Sequence, residues 1–173
     1  MDRACPDRRH RVGRHPQAYG DGVDPTGLPR HILAAGVLVW DAGDRLLLVK
    51  TWNRDHLILP GGLVEDGESP ASAAVREVAE EVGLVVELRS LVVVEHLPGD
   101  GTRPSSVQLV FDSTPLTATP NLVLQGDEIE AAHWLAPEVA LERHGARGRA
   151  RLAAALGARR RGDTAYVDSN RLL

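Results

Sequence analysis

Residues Gly62 to Leu84 read GLVEDGESPASAAVREVAEEVGL. The stretch runs Gly62, five residues, Glu68, seven residues, then Arg76-Glu77-Val78-Ala79-Glu80-Glu81-Val82-Gly83-Leu84. On a helix, residues three and four apart are surface neighbours, so Glu77, Glu80 and Glu81 converge within an arc of roughly 100°. Ala71, Ala74, Val75, Val78 and Val82 share an adjoining arc and give the helix an apolar stripe to bury. The acidic cluster therefore belongs to a packed helix. Ser69 at the N-cap and Pro70 at the first helical position predict where that helix starts, and Gly83 predicts where it stops. Upstream, the apolar run Leu57-Ile58-Leu59 predicts a strand ending in the tight turn Pro60-Gly61-Gly62.

Three carboxylates about 5–6 Å apart repel and raise one another's pKa values. Keeping all three ionised calls for a positive partner. A hard divalent cation with oxygen ligands suits the cluster, and Mg²⁺ is the usual choice where phosphates complete the shell. The glycines ahead of the helix let the backbone approach a metal or phosphate closely, and the Gly61 carbonyl is a further candidate ligand. Arg76 can pair with Glu80 one turn on, or with Glu68 across the loop, and so orient a carboxylate. A Glu-rich turn beside an Arg is, by itself, usually a solvated helix face. Here seven fixed identities and two aliphatic positions recur in order. With average residue usage, a chance match in a chain this size is on the order of one in a million or rarer.

On these residues the sequence resembles the Nudix hydrolase family, whose signature GX5EX7REUXEEXGU (U a bulky aliphatic) is matched at every position. The resemblance extends more loosely over about residues 31–160. It implies hydrolysis of a diphosphate linked to another moiety, commonly a nucleoside diphosphate, with Mg²⁺ or Mn²⁺ as cofactor. Carried over position by position, Glu80 and Glu81 resemble the main metal ligands and Glu77 a ligand or general base. Glu68 and Arg76 resemble the supporting salt-bridge pair, and Gly61 the carbonyl ligand. Family members differ in where the base comes from. In this chain Glu128 or Glu130, in Gly126-Asp127-Glu128-Ile129-Glu130, can reach the metals, or else that stretch is an exposed acidic loop leading into a strand.

For the substrate, Trp52 and Arg54 lie between a strand and the glycine loop. Trp52 is a candidate to stack on a base and Arg54 to hold a phosphate; the plainer alternatives are a packing indole and a solvated arginine. Pro98, in a Pro/Gly loop after the motif, faintly resembles a pattern of ADP-ribose-cleaving members. An ADP-ribose-like compound, a nucleotide sugar and a nucleoside triphosphate all remain open. Two rival classes stand beside the hydrolase. One is a non-catalytic nucleotide-binding or regulatory module of the same fold, which the intact motif disfavours. The other is an RNA 5′-end pyrophosphohydrolase, held by the arginine-rich ends of the chain.

The 173 residues suit a single domain with a sizeable core, and the formal net charge of −4 disfavours a general nucleic-acid binder. Cys5 is the only cysteine, which excludes an internal disulfide and a cysteine-based zinc site. No apolar run approaches the roughly 20 residues of a membrane span, so the expectation is a cytoplasmic protein working on small molecules, with a homodimer possible as in many relatives.

Residues 1–29 are rich in Arg, Asp, Gly and Pro, which predicts a flexible arm. The domain is expected over 30–160 and a tail over 161–173. Ile32–Trp40 and Leu46–Lys50 flank Asp41-Ala42-Gly43-Asp44 and predict a hairpin. Further strands are predicted over Val85–Leu88, Leu91–His96, Ser106–Phe111 and Glu130–Leu135, and one or two closing helices over Ala136–Ala158. Helices flanking a mixed sheet indicate an α/β or α+β fold with open topology. The resemblance supplies the Nudix fold, an α/β/α sandwich around a mixed sheet.

Overall fold

The computed structural model describes residues 31–169 and 171–173; the expected arm at 1–29 lies outside them. In chain order come β1 (Ile32–Leu38), β2 (Leu46–Thr51), β3 (Gly61–Leu63), α1 (Pro70–Val82), β4 (Leu88–Leu97) and β5 (Ser106–Ser113). They are followed by β6 (Ile129–Leu135), α2 (Pro137–Arg143), α3 (Ala146–Arg161), β7 (Ala165–Asp168) and β8 (Arg171–Leu172). A six-stranded sheet has the order β3-β1-β5-β4-β7-β8, and β2 pairs with β6 in a separate two-stranded sheet. The larger sheet is mixed: β1–β5 and β4–β7 are parallel, and the other pairs are antiparallel.

Both faces of that sheet are covered, which is why its inner strand β1 is a nearly continuous apolar run. Successive side chains of β1 and its extension point to opposite faces. Ala35, Val37 and Val39 enter a core closed by Ala74, Val78 and Val82 of α1. Leu38 and Trp40 enter a second core closed by Leu152, Ala155 and Leu156 of α3. The result is the expected three-layer α/β/α arrangement, with α1 on one side and α2 and α3 on the other.

Several local expectations change. The predicted hairpin closes through one bridge, Trp40 to Leu46, after which β1 and β2 diverge into different sheets. Asp41 enforces the turn by accepting from the N–H groups of Gly43 and Arg45, both at 2.9 Å. Leu57–Leu59 does not form a strand. Ile58 and Val49 exchange backbone hydrogen bonds at 2.9 Å, while the strand proper is the glycine segment, β3, lying on β1. Val85–Leu88 is an irregular connection in which Leu84 and Val86 are buried and Val85 is exposed, and only Leu88 enters β4. The segment expected as a tail contributes β7, which completes the sheet beside β4 with Val167 fully buried.

Candidate active site

Ser69 caps α1 by accepting from the Ser72 N–H at 3.1 Å, and Pro70 opens the helix. Gly83 closes it in the left-handed conformation, at φ 71°. That fixes the axial position of the acidic turn, and burial of the Val78–Val82 side fixes its rotation. The three carboxylates straddle the edge of the buried stripe: Glu81 is 2% exposed, whereas the side chains of Glu77 and Glu80 are 16% and 52% exposed.

Arg76 gathers the rest. Its Nε donates to Glu68 at 3.1 Å and one terminal nitrogen donates to Glu77 and Glu80, both at 3.0 Å. The other donates to Glu68 and to the Leu63 carbonyl, both at 3.0 Å. The two pairings open to Arg76 from the sequence, with Glu80 and with Glu68, therefore occur together. Glu81 is held differently, accepting from the Gly61 N–H at 3.0 Å. Gly61 is sterically required, whereas Gly62 faces only a side-chain carboxylate. A Cβ on Gly61, whose φ is 140°, meets the Ala35 carbonyl oxygen at 2.2 Å, and one on Gly62 meets the Glu77 carboxylate at 2.4 Å.

The electrostatics follow from this packing. Arg76 holds the Glu68 carboxyl below the usual carboxylate range. Burial pushes Glu77 up, against Arg76 and with help from Glu80 and Glu128. Burial also pushes Glu81 up, to about 8, and the neighbouring charges of Glu77, Glu128 and Glu80 add to the effect. Such a set of hard oxygen donors, short of positive charge on its buried side, fits a divalent cation. Among the described residues the carboxylates are arranged around Arg76 and Gly61, not as a preformed group of three ligands.

Glu81 lines a cleft of about 350 Å³ that also takes in Gly61, Gly62, Arg54, Glu128, Gln108, His144 and Arg151. Glu68, Arg76, Glu77 and Glu80 stand outside its lining. Trp52 also lies outside it: the ring is 62% exposed and its Nε1 donates to the Gly126 carbonyl at 2.9 Å. It borders a side hollow shared with Glu128. Glu130 is turned to Lys50, at 2.7 Å, and is not in the cleft.

Sequence reasoning missed His144 and Arg151, which α2 and α3 bring across to the cleft. Leu57 binds the chain on both sides of His144, its N–H donating to the Arg143 carbonyl and its carbonyl accepting from Gly145. Burial drives His144 down to about 4, so the ring is neutral near pH 7, and its Nδ1–H donates to the Gly145 carbonyl at 3.1 Å. Arg151 forms an ion pair with Glu95, which is fully buried in β4. One signal was available: a glutamate inside Val92-Val93-Val94-Glu95 demands a cationic partner once that strand is buried.

A NUDIX domain family model matches residues 30–156. A MutT-like protein of Streptomyces ambofaciens is 34% identical over 121 residues, 69% of this chain and 73% of that protein. An ADP-ribose pyrophosphatase of Methanocaldococcus jannaschii is 30% identical over 107 residues, covering 60% of this chain and 54% of that one, so the chain spans about half its length. Among solved structures, a MutT protein from Methanosarcina mazei Go1 shares the fold, with a TM-score of 0.64 at 21% identity over 78% of this chain and 96% of that one. The complete motif, folded with its glycines under the acidic turn, and a family match over most of the chain lead to one assignment: this chain belongs to the Nudix hydrolase family.

Proposed function

We propose that this protein is a Mg²⁺- or Mn²⁺-dependent hydrolase cleaving the diphosphate of a nucleoside diphosphate linked to another moiety. ADP-ribose-like compounds, nucleotide sugars and nucleoside triphosphates are the candidate substrates. The observation that carries the reading is the gathering of four acids around Arg76 and Gly61, with Glu68, Glu77 and Glu80 tied through Arg76 and Glu81 fixed by Gly61.

In this reading Glu80 and Glu81 hold the cation, with Glu77 and the Gly61 carbonyl completing the protein ligands. When bound, such an ion neutralises diphosphate charge and lowers the pKa of water at the site. Glu68 and Arg76 are positioning residues that set where Glu77 and Glu80 can point. Glu77, its proton affinity raised by burial, serves as a base within the cluster, and Glu128 in the cleft lining is an additional base or ligand. Arg54, in the cleft lining, binds a phosphate, while Trp52 offers an exposed ring beside the neighbouring hollow for stacking. The leaving group departs as a phosphate, so electrostatic stabilisation carries most of the rate.

Glu80→Gln and Glu81→Gln test this by removing charge at nearly constant shape. Each should lower kcat by roughly a hundredfold or more while circular dichroism and the melting profile stay close to wild type. Assays with Mg²⁺ and Mn²⁺ across ADP-ribose, dinucleoside polyphosphates, nucleotide sugars and triphosphates supply the substrates. Near-full, Mg²⁺-dependent turnover by Glu80→Gln would show that the acidic turn is not the metal site.

A further inference from the structure

The cleft continues past the acidic turn into a second hollow of about 380 Å³, sharing Arg54, Ile58, Gln108, His144 and Arg151 with the first. Its own wall adds Arg103 and Arg147, so among the described residues four arginines and no acidic residue line it. Three side chains of this wall already have acidic partners outside the lining. Arg147 lies 3.5 Å from Asp100, Arg151 pairs with Glu95, and His56 lies 2.8 Å from Asp55. Arg54 and Arg103 have no ion-pair partner among the described residues.

The wall is also held in place. Asp100 builds the turn between β4 and β5, accepting from the N–H groups of Thr102 and Arg103 at 3.0 and 2.9 Å, which fixes the backbone from which Arg103 projects. The His56 ring packs against Gly145, where an added Cβ would lie 2.1 Å from it. A concave surface with two unneutralised guanidinium groups, adjoining an acidic metal-type site, is built for negative charge.

We propose that this second hollow is an anion subsite receiving a phosphate or carboxylate carried by the part of the substrate beyond the cleaved diphosphate. The subsite rests on the diphosphate-hydrolase reading and narrows it, favouring a substrate with a distal anion over one with a neutral sugar. Arg103 and Arg147 supply that preference, and Arg54 stands where the two hollows meet.

Matched substrates test it on the full chain. UDP-glucuronate against UDP-glucose adds a carboxylate at the sugar end, and NADPH against NADH adds a phosphate at the adenosine end. With Mg²⁺, kcat/KM should favour the anionic member of at least one pair by about tenfold, as expected for one charge-assisted contact, and R103A/R147A should bring that ratio close to one. Near-equal values for both pairs in the wild type overturn the subsite while leaving the hydrolase intact. A titration with inorganic phosphate, without metal, decides the subsite even if no pair is hydrolysed. Backbone amide resonances of Gly145 and Gly148 should move saturably in the wild type and stay still in R103A/R147A. No movement, or the same movement in the variant, overturns the proposal.

Discussion

Arg76 uses every N–H of its guanidinium: two go to Glu68, one each to Glu77 and Glu80, and one to the Leu63 carbonyl. Lysine carries the charge on a single ammonium and cannot span those directions. Arg76→Lys is therefore expected to lower stability by about 2 kcal/mol, or roughly 4–8 °C in Tm for a chain of this size, and to lower kcat more than KM. Urea denaturation and steady-state kinetics measure both, and unchanged stability and kcat would show that the cluster does not depend on the fork. At this scale the acidic turn was legible because its residues are close in sequence and helix geometry alone brings them together. His144 and Arg151 were not, because each reaches the cleft only through the docking of a helix far along the chain.

Among the elements, β3 shows how far a local rule can mislead. Gly61 and Gly62 carry a strong turn signal, and the run before them carries a strand signal. The strand falls on the glycines instead, because the backbone at Gly61 lies against β1, where no Cβ fits. Gly61→Ala should cost at least about 3 kcal/mol, since strain at positive φ adds to a clash with the Ala35 carbonyl. Gly67→Ala is the control: its φ is also positive, at 75°, but a Cβ there meets nothing within 4 Å. It should cost only about 1–2 kcal/mol. Equal midpoints in urea would refute the steric account. The helix ends, by contrast, followed from Ser69, Pro70 and Gly83, whose cap preferences are local and act without tertiary help.

For the molecule as a whole, buried titratable groups predict a response to acid. His144 is 4% exposed and its pKa falls from 6.5 to about 4 on folding. The unfolded chain therefore takes up the proton first, so this contribution is complete above pH 6.5 and is lost as pH falls towards 4. The loss is about 3 kcal/mol. Asp41, lowered from 3.8 to about 2 amid its hydrogen bonds from Arg45, Thr119 and Gly43, adds a second loss as pH falls through that lower window. Glu81 acts in the opposite sense, favouring the folded state as pH falls from 8 to 4.5. Comparing wild type with His144→Gln cancels Glu81 and Asp41. The difference in unfolding free energy between the two proteins should shrink between pH 6.5 and 4, and a constant difference would show that His144 does not titrate as a buried ring.

The layered class of the fold was legible from the succession of apolar runs and helical spacings, but the strand order was not. Periodicity says which face a strand buries and nothing about which strand it meets. This is why β1 and β2 could look like one hairpin, and why residues 161–173 looked like a tail.

The seam between β4 and β7 has a kinetic consequence. These partners are separated in the chain by β5, β6, α2 and α3, and β1 likewise waits for β5 across α1 and β4. The entropy of closing such long loops is spent before the hydrogen bonds that reward it can form. Assembly of the sheet is therefore a late, cooperative event, and the glutamate-bearing helix, too short to persist by itself, gains its floor only when those distant partners arrive.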